Sequence, residues 1–262
     1  SGDSSYLEKL TMSMPPSQQG TSYLNFIASH DGVGLRPAES FLSKDEIERF
    51  VEQMENNGGK VSYRSNNTDT PEPYEINISL YDAMTVAFNK ESNLSFERFI
   101  CIHTIMLSLE GVPALYMHSL FGTKNDYELF EKTGQNRSLN RGKIKYEDIK
   151  LLDKSKLQTK IFNKLKTLAH IRKRQRAFHP NAVQFTLHLG KTLYGVWRQS
   201  LDKQQSIFCV SNLTDKEVYL SLLDLNLIGF DEWQDLISKS KFNDVTAKLT
   251  LAPYQTVWLT NL

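Results

Sequence analysis

Cysteine is nearly missing from this chain. The two present, Cys101 and Cys209, sit inside the apolar runs F-I-C-I and I-F-C-V, where a free thiol packs as a small hydrophobe. Both are expected in the core and not in a disulfide, which favours a reducing, cytoplasmic compartment. Excess charge is missing too: Lys plus Arg is 31 against 30 for Asp plus Glu, a formal net charge of +1. That balance gives no broad attraction to nucleic acid or an anionic membrane, and it suits a neutral polar or small anionic partner. No apolar run approaches the roughly 20 residues that span a bilayer, and the first residues lack the basic and apolar regions of a signal peptide. A soluble protein is expected, and the Ser1-Gly2 start without Met is expected to be a processed or cloned end. No group of His, Cys and carboxylates has metal-ligand spacing. Neither an internal repeat nor a low-complexity tract is evident.

What is present is enough for a core: 40% of 262 residues are hydrophobic, sufficient for one large or two ordinary domains. The most informative stretch is residues 23–37, Y-L-N-F-I-A-S-H-D-G-V-G-L-R-P. Residues 23–28 read as a buried strand delivering Ser29, His30, Asp31 and Gly32 at its carboxyl end, where parallel α/β architectures bind ligands. His beside Asp can hydrogen-bond sugar hydroxyls or serve acid–base chemistry, and the same pair also serves as a turn and cap.

Before it come a short helix at 6–12 and the loop P-P-S-Q-Q-G. After it, Pro37 is expected to block a helix. Ser43 to Glu46 forms a capping box opening a helix with Ile47, Phe50, Val51 and Met54 on one face, closed by Gly58-Gly59. Residues 61–74 read as a polar, irregular loop of the functional or disordered kind. Tyr74, Glu75 and Asn77 lie on an ordered approach to the next helical segment, either packing and capping or facing a ligand.

Residues 95–109 read as an apolar helix with His103 on its core face, stopped by Gly111 and followed by a short buried strand at 112–117. This second strand, loop and helix cycle makes the repeating unit parallel. Residues 122–150 read as another polar loop. Its Arg137 and Arg141, four apart beside asparagines, are either fixed donor forks for hydroxyls, carboxylate or phosphate, or part of a solvated face. Residues 157–178 form a basic amphipathic helix whose final arginines complement the helix dipole and face water. Beyond Pro180 short strands are expected at 182–189, 192–200, 206–213, 218–223 and 248–260, an antiparallel sandwich after a boundary near residue 180.

F-I-A-S-H-D-G resembles the last signature region of the α-amylase family of glycoside hydrolases, where a His-Asp pair ends barrel strand seven. G-V-P-A-L-Y-M-H-S-L-F-G-T-K-N-D resembles the strand-eight region of that family, and a β-sandwich after the barrel is its usual appendage. H-D-G-V-G, Y-E-I-N, K-N-D-Y-E-L and N-R-S-L-N-R, in this order, look like the sucrose phosphorylase branch, which includes enzymes acting on phosphorylated sucrose and on glucosylglycerate. The match runs from about residue 7 to the end.

The fold this implies is α/β plus all-β: the C-terminal part of a (β/α)8 barrel, strands seven and eight with their helices, over residues 1–180, then the antiparallel sandwich over 181–262. The activity it implies is a retaining double displacement at an α-glucosidic bond, with inorganic phosphate taking the glucosyl group to give α-glucose 1-phosphate. Phosphate is a substrate, and neither cofactor nor metal is expected. By position, Asp31 would be the carboxylate that grips the ring hydroxyls in the transition state, and is neither nucleophile nor acid. His30 would bind the same glucose, Arg141 its far side, and Tyr74 and Glu75 the acceptor side.

Two departures qualify this. Barrel strands one to six are absent, with the nucleophile and the acid/base. The chain is therefore expected to be the C-terminal portion of an enzyme about twice its length, without turnover alone. The rest of its own barrel, a homodimer partner or its own packing must cover the exposed strand edges and helix faces. Also, Glu75 stands where sucrose-specific members carry Gln. An anion there repels a phosphorylated acceptor unless it is paired, while it accepts bonds from a polyol. H-S-L-F-G-T-K-N-D looks nearer to the glucosylglycerate type. The acceptor stays open among fructose, phosphorylated fructose, glycerate and glycerol. A hydrolase or transglucosidase, and a non-catalytic carbohydrate-binding or interaction module, are the alternatives.

Overall fold

A computed structural model describes residues 2–64, 71–87, 90–91, 93–150, 156–225, 232–244 and 246–261. Residues 65–70, the middle of the expected irregular loop, lie outside the described residues. The chain packs as two compact units: Ser1–Asn25, Ile100–Ala114 and Leu165–Leu262 form one, Phe26–Phe99 and Leu115–Lys164 the other.

In the first unit, strand Leu24–Asn25 pairs in parallel with Val112–Pro113. Both are shorter than the strands expected at 23–28 and 112–117, and they are not buried: Leu24 is 64% and Val112 44% exposed. A parallel strand is buried by neighbours and flanking helices, and this sheet has two strands. Gly111 leads into the second strand at φ +109°, where a Cβ would stand 2.5 Å from the Tyr23 carbonyl oxygen. Only glycine fits that approach.

The same unit holds a six-stranded antiparallel sheet in the order Lys241–Phe242, Trp233–Asp235, Thr256–Asn261, Ser206–Asn212, Leu193–Gln199, Val183–Leu187. A second pair, Val218–Ser221 with Lys248–Leu251, adds Leu220 and Leu251 to a core shared with Phe208, Val210, Trp233 and Leu259. The antiparallel strands after Pro180 are thus present. Two of them, Trp233–Asp235 and Lys241–Phe242, escaped the sequence reading because they are only a few residues long. The run expected at 248–260 is broken by a turn in which Tyr254 has φ 55°.

Cys101 and Cys209 are free, buried thiols, as expected, and His103 is fully buried. The helix Leu157–Lys173 stops short of the expected 178, which falls in a separate 3-10 turn, Arg176–Phe178. Its last arginines do not all face water. Arg172 Nε donates to the Leu107 carbonyl and Nη2 to the Gly111 carbonyl, both at 2.8 Å. These are carbonyls at and just past the end of helix Ser95–Ser108, where a helix has acceptors to satisfy.

The second unit corrects the loop expected at 61–74. Strands Lys60–Arg64 and Glu72–Asn77 pair antiparallel, with Val33–Gly34 on the other side of Glu72–Asn77. Ile76 and Ile78 pack with Leu35, Val51 and Met54, and Val61 lies against them. Helix Lys44–Asn56 begins with the capping box: the Glu46 amide donates to Ser43 Oγ at 3.3 Å and the Ser43 amide to Glu46 Oε2 at 2.8 Å. Pro37 does not block a helix but occupies the first turn of a 3-10 helix, Arg36–Ser40, where its missing N–H costs nothing.

The polar stretch at 122–150 is ordered as well. Asp126 caps helix Tyr127–Thr133 by accepting from the Leu129 amide at 2.8 Å. Gly134 closes it at φ 65°, and the 3-10 helix Asn136–Asn140 and helix Tyr146–Lys150 follow. Among the described residues no helix is long and apolar enough to cross a membrane.

Candidate active site

His30, Asp31, Glu75, Arg137 and Arg141 all fall in the second unit, and N-R-S-L-N-R gathers them. Ser138 and Leu139 are buried, which turns the residues on either side toward polar neighbours. Asn136 Nδ2 donates to the Val61 carbonyl at 3.3 Å and to Ser62 Oγ at 3.1 Å, fixing the segment to the sheet. Asn140 Nδ2 lies 3.5, 3.4 and 3.2 Å from the carbonyl oxygens of Ser29, His30 and Asp31. Arg141 Nε donates to the His30 carbonyl at 2.6 Å. The S-H-D tip, which has no ladder of its own, is therefore held by side chains more than 100 positions away, which satisfy its main-chain acceptors.

Around Asp31 the charges converge. Arg137 Nη1 stands 2.9 Å and Arg141 Nη2 3.3 Å from Asp31 Oδ1, and His30 Nε2 stands 3.6 Å from Oδ2. Arg137 also grips Glu75 with two parallel bonds, Nε to Oε1 at 3.0 Å and Nη2 to Oε2 at 2.7 Å. This is the planar fork geometry that arginine supplies and lysine cannot.

Glu75 is buried in the central strand of the sheet and accepts from Asn77 Nδ2 at 3.0 Å. The Arg137 hydrogen bonds hold its carboxyl below the usual range, helped by Asn77 and the Gly32 N–H and opposed by burial. Glu75 in turn raises the Arg137 pKa. Two carboxylates and two guanidinium groups thus cancel, and the charged heads at Asp31, Arg137 and Arg141 remain about 40% exposed. Such a cluster can bind hydroxyls through its remaining donors and acceptors, with charge-assisted strength.

The structure brings together His30, Asp31, Glu75, Asn77, Arg137 and Arg141, all singled out in the sequence. Tyr74 adjoins Glu75 in the strand, and its phenol contributes to the elevated Arg137 pKa. Sequence reasoning offered Arg137 as a donor fork or part of a solvated face, named Gly32 only as the end of the tip, and did not single out Asn140 or Tyr116. The repeat of Asn-Arg at a spacing of four was the available signal for Arg137 and Asn140. Tyr116 donates to the Asn140 carbonyl at 3.2 Å, and burial raises its pKa. A Cβ on Gly32 would stand 2.3 Å from the Ile76 carbonyl oxygen and 2.7 Å from Glu75 Cγ. That glycine lets the tip lie on the strand. A shallow pocket of about 410 Å3 has His118, Lys124, Asp126 and Lys143 in its lining, but none of the carboxylates above. No group of three or more His, Cys, Asp or Glu among the described residues could hold a metal.

The chain shares its fold with a solved α-amylase-type glucoside phosphorylase. Over 82% of its length it superposes on the sucrose 6F-phosphate phosphorylase of Thermoanaerobacter thermosaccharolyticum, with a TM-score of 0.64 and 19% identity, covering 41% of that chain. In sequence it is 31% identical to the glucosylglycerate phosphorylase of Spirochaeta thermophila and 34% to that of Allomeiothermus silvanus, in each case over 98% of this chain, and over 45% and 44% of those proteins. The chain is thus a relative of the glucosylglycerate and sucrose phosphorylases of the α-amylase family, and it spans a little under half the length of the curated relatives it matches. No family model matches it.

Proposed function

We propose that this chain is the C-terminal portion of a retaining glucosyl phosphorylase: the last two β/α units of a (β/α)8 barrel to about residue 180, then an antiparallel β-sandwich. The complete protein transfers α-glucosyl from glucosylglycerate, or a related glucoside such as sucrose, to inorganic phosphate. The glycosidic C–O bond breaks, the acceptor leaves as its alcohol, and a C–O bond to phosphate forms α-glucose 1-phosphate.

The observation that carries this reading is the meeting of H-D, Y-E-I-N and N-R-S-L-N-R, up to 111 positions apart, around one carboxylate. Asp31 is the group that tightens on the ring hydroxyls as the ring flattens, pre-set by Arg137 and Arg141 so that no reorganisation is needed at that moment. His30 and Arg141 bind the same glucose, and Tyr74 and Glu75 face the acceptor. Nucleophile and acid/base come from outside this chain, so the chain by itself gives no turnover. The exposed Leu24 and Val112 suit strands that have further barrel neighbours. Glucosylglycerate is favoured as donor by the identities to its phosphorylases, and by the pairing of Glu75, which removes the repulsion an anionic acceptor would meet.

The test is to assay this chain and the natural gene product side by side, each with and without Asp31→Asn. The chain is inert, and Asp31→Asn lowers phosphorolysis by the gene product by roughly 10²–10³ in kcat. Turnover by the isolated chain, or an unaffected Asp31→Asn variant, sinks the reading.

A further inference from the structure

Glu75 is a carboxylate on the side of the site assigned to the acceptor, yet both its oxygens are taken by hydrogen-bond donors. Arg137 Nε and Asn77 Nδ2 donate to Oε1, and Arg137 Nη2 to Oε2. The remaining nitrogen of the same guanidinium, Nη1, reaches Asp31 at 2.9 Å. One planar group therefore ties the acceptor-side carboxylate to the glucose-side carboxylate, with two nitrogens on Glu75 and the third on Asp31. A lysine ammonium is a point charge and cannot hold both.

We propose that Arg137 is the positioning residue that lets this site take an anionic acceptor, a small hydroxy-carboxylate, by neutralising Glu75 and fixing it in register with Asp31. The inference rests on the phosphorylase reading above. Without Arg137, Glu75 keeps its buried place in the strand and becomes an uncompensated anion facing the incoming carboxylate, which like charges resist. A neutral acceptor of the same shape feels no such field. The shared guanidinium also couples the two sides, because a shift of Glu75 pulls Arg137 away from Asp31.

The experiment runs the natural gene product in the synthetic direction, from α-glucose 1-phosphate, with glycerate or glycerol as acceptor. These share a carbon skeleton and differ in the carboxylate. Arg137→Met raises KM for glycerate roughly tenfold more than KM for glycerol. Glu75→Gln added to Arg137→Met recovers most of that selectivity, since it removes the orphaned charge, and Arg137→Lys falls between. Equal KM changes for the two acceptors, or no recovery in the double variant, overturns the inference and leaves the phosphorylase reading standing. A wild type that prefers glycerol does the same. A wild type that uses neither acceptor and makes no glucose 1-phosphate from any glucoside overturns the reading itself, and this inference with it.

A readout independent of turnover is the Glu75 carboxyl titration, followed by carbon NMR on the natural gene product. It lies below the usual carboxylate range in wild type and moves up in Arg137→Met. A titration that Arg137→Met leaves in place contradicts the proposal.

Discussion

Two pairs of arginines, one in each unit, show how the same side chain serves opposite ends. Arg137 and Arg141 are partly exposed and meet carboxylates, and Glu75 raises the Arg137 pKa. Arg172 and Arg198 donate to main-chain carbonyls: Leu107 and Gly111 for the first, Ser108, His179 and Ala182 for the second. Both lie near the Phe178 ring, at 5.6 and 5.9 Å. Burial pushes Arg198 down to about 10 and lowers Arg172 as well. An arginine spent on carbonyls at the end of a helix is a staple. An arginine that holds carboxylates at an open surface is poised for a ligand, because water and sugar hydroxyls can compete for the same donors.

The sharpest way to break this comparison is to truncate one arginine of each pair. Arg198→Met leaves three carbonyls without their donor in a buried site, and about 3 kcal/mol or more of stability is lost. Its urea midpoint falls steeply, and Arg137→Met, which orphans the Glu75 carboxylate by removing a partly exposed guanidinium, lowers the midpoint by less. The reverse order would make Arg137 the staple.

Next in size is Gly32→Ala. The new methyl group overlaps the Ile76 carbonyl and Glu75, which costs about 1–3 kcal/mol, and the Glu75 titration moves as the tip lifts. A variant with unchanged midpoint and titration would remove Gly32 from the account.

A smaller effect lies in the acid limb. Glu75 titrates below its unfolded value, so the stability it contributes is fully present above the unfolded carboxylate range near 4.3 and is lost as pH falls through the folded value. In Arg137→Met the acid-unfolding curve is flatter there. An identical curve would mean the pair contributes nothing. Smallest of all, burial lifts Cys101 and Cys209 to about 12. Neither thiol should react with a disulfide reagent at pH 8 before unfolding, and prompt labelling of either would contradict its burial.

These contrasts also separate what could be read in the chain from what could not. The capping box at Ser43 was legible because it is local: cap and partner are three residues apart. The apolar helix at 95–108 was legible because its pattern is periodic. The strands Lys60–Arg64 and Glu72–Asn77 were hidden by their polar face, since Glu75 and Asn77 bond to each other at the site while Val61, Ile76 and Ile78 face the core. Strand length at residues 24 and 112 depends on neighbours in space, which a run of apolar letters does not specify. His30, Asp31, Glu75 and Arg141 were found by motif, but the pairing that joins them spans 62 positions from Arg137 to Glu75. The solvated and stapled arginines look alike in a sequence, because the carbonyls that distinguish Arg172 lie 61 and 65 positions away.

The most direct test of the whole account is phosphorus NMR of the natural gene product incubated with glucosylglycerate and inorganic phosphate. The account predicts an α-glucose 1-phosphate resonance growing as free phosphate declines. Release of free glucose with the phosphate signal constant would contradict it, and would make this chain part of a hydrolase.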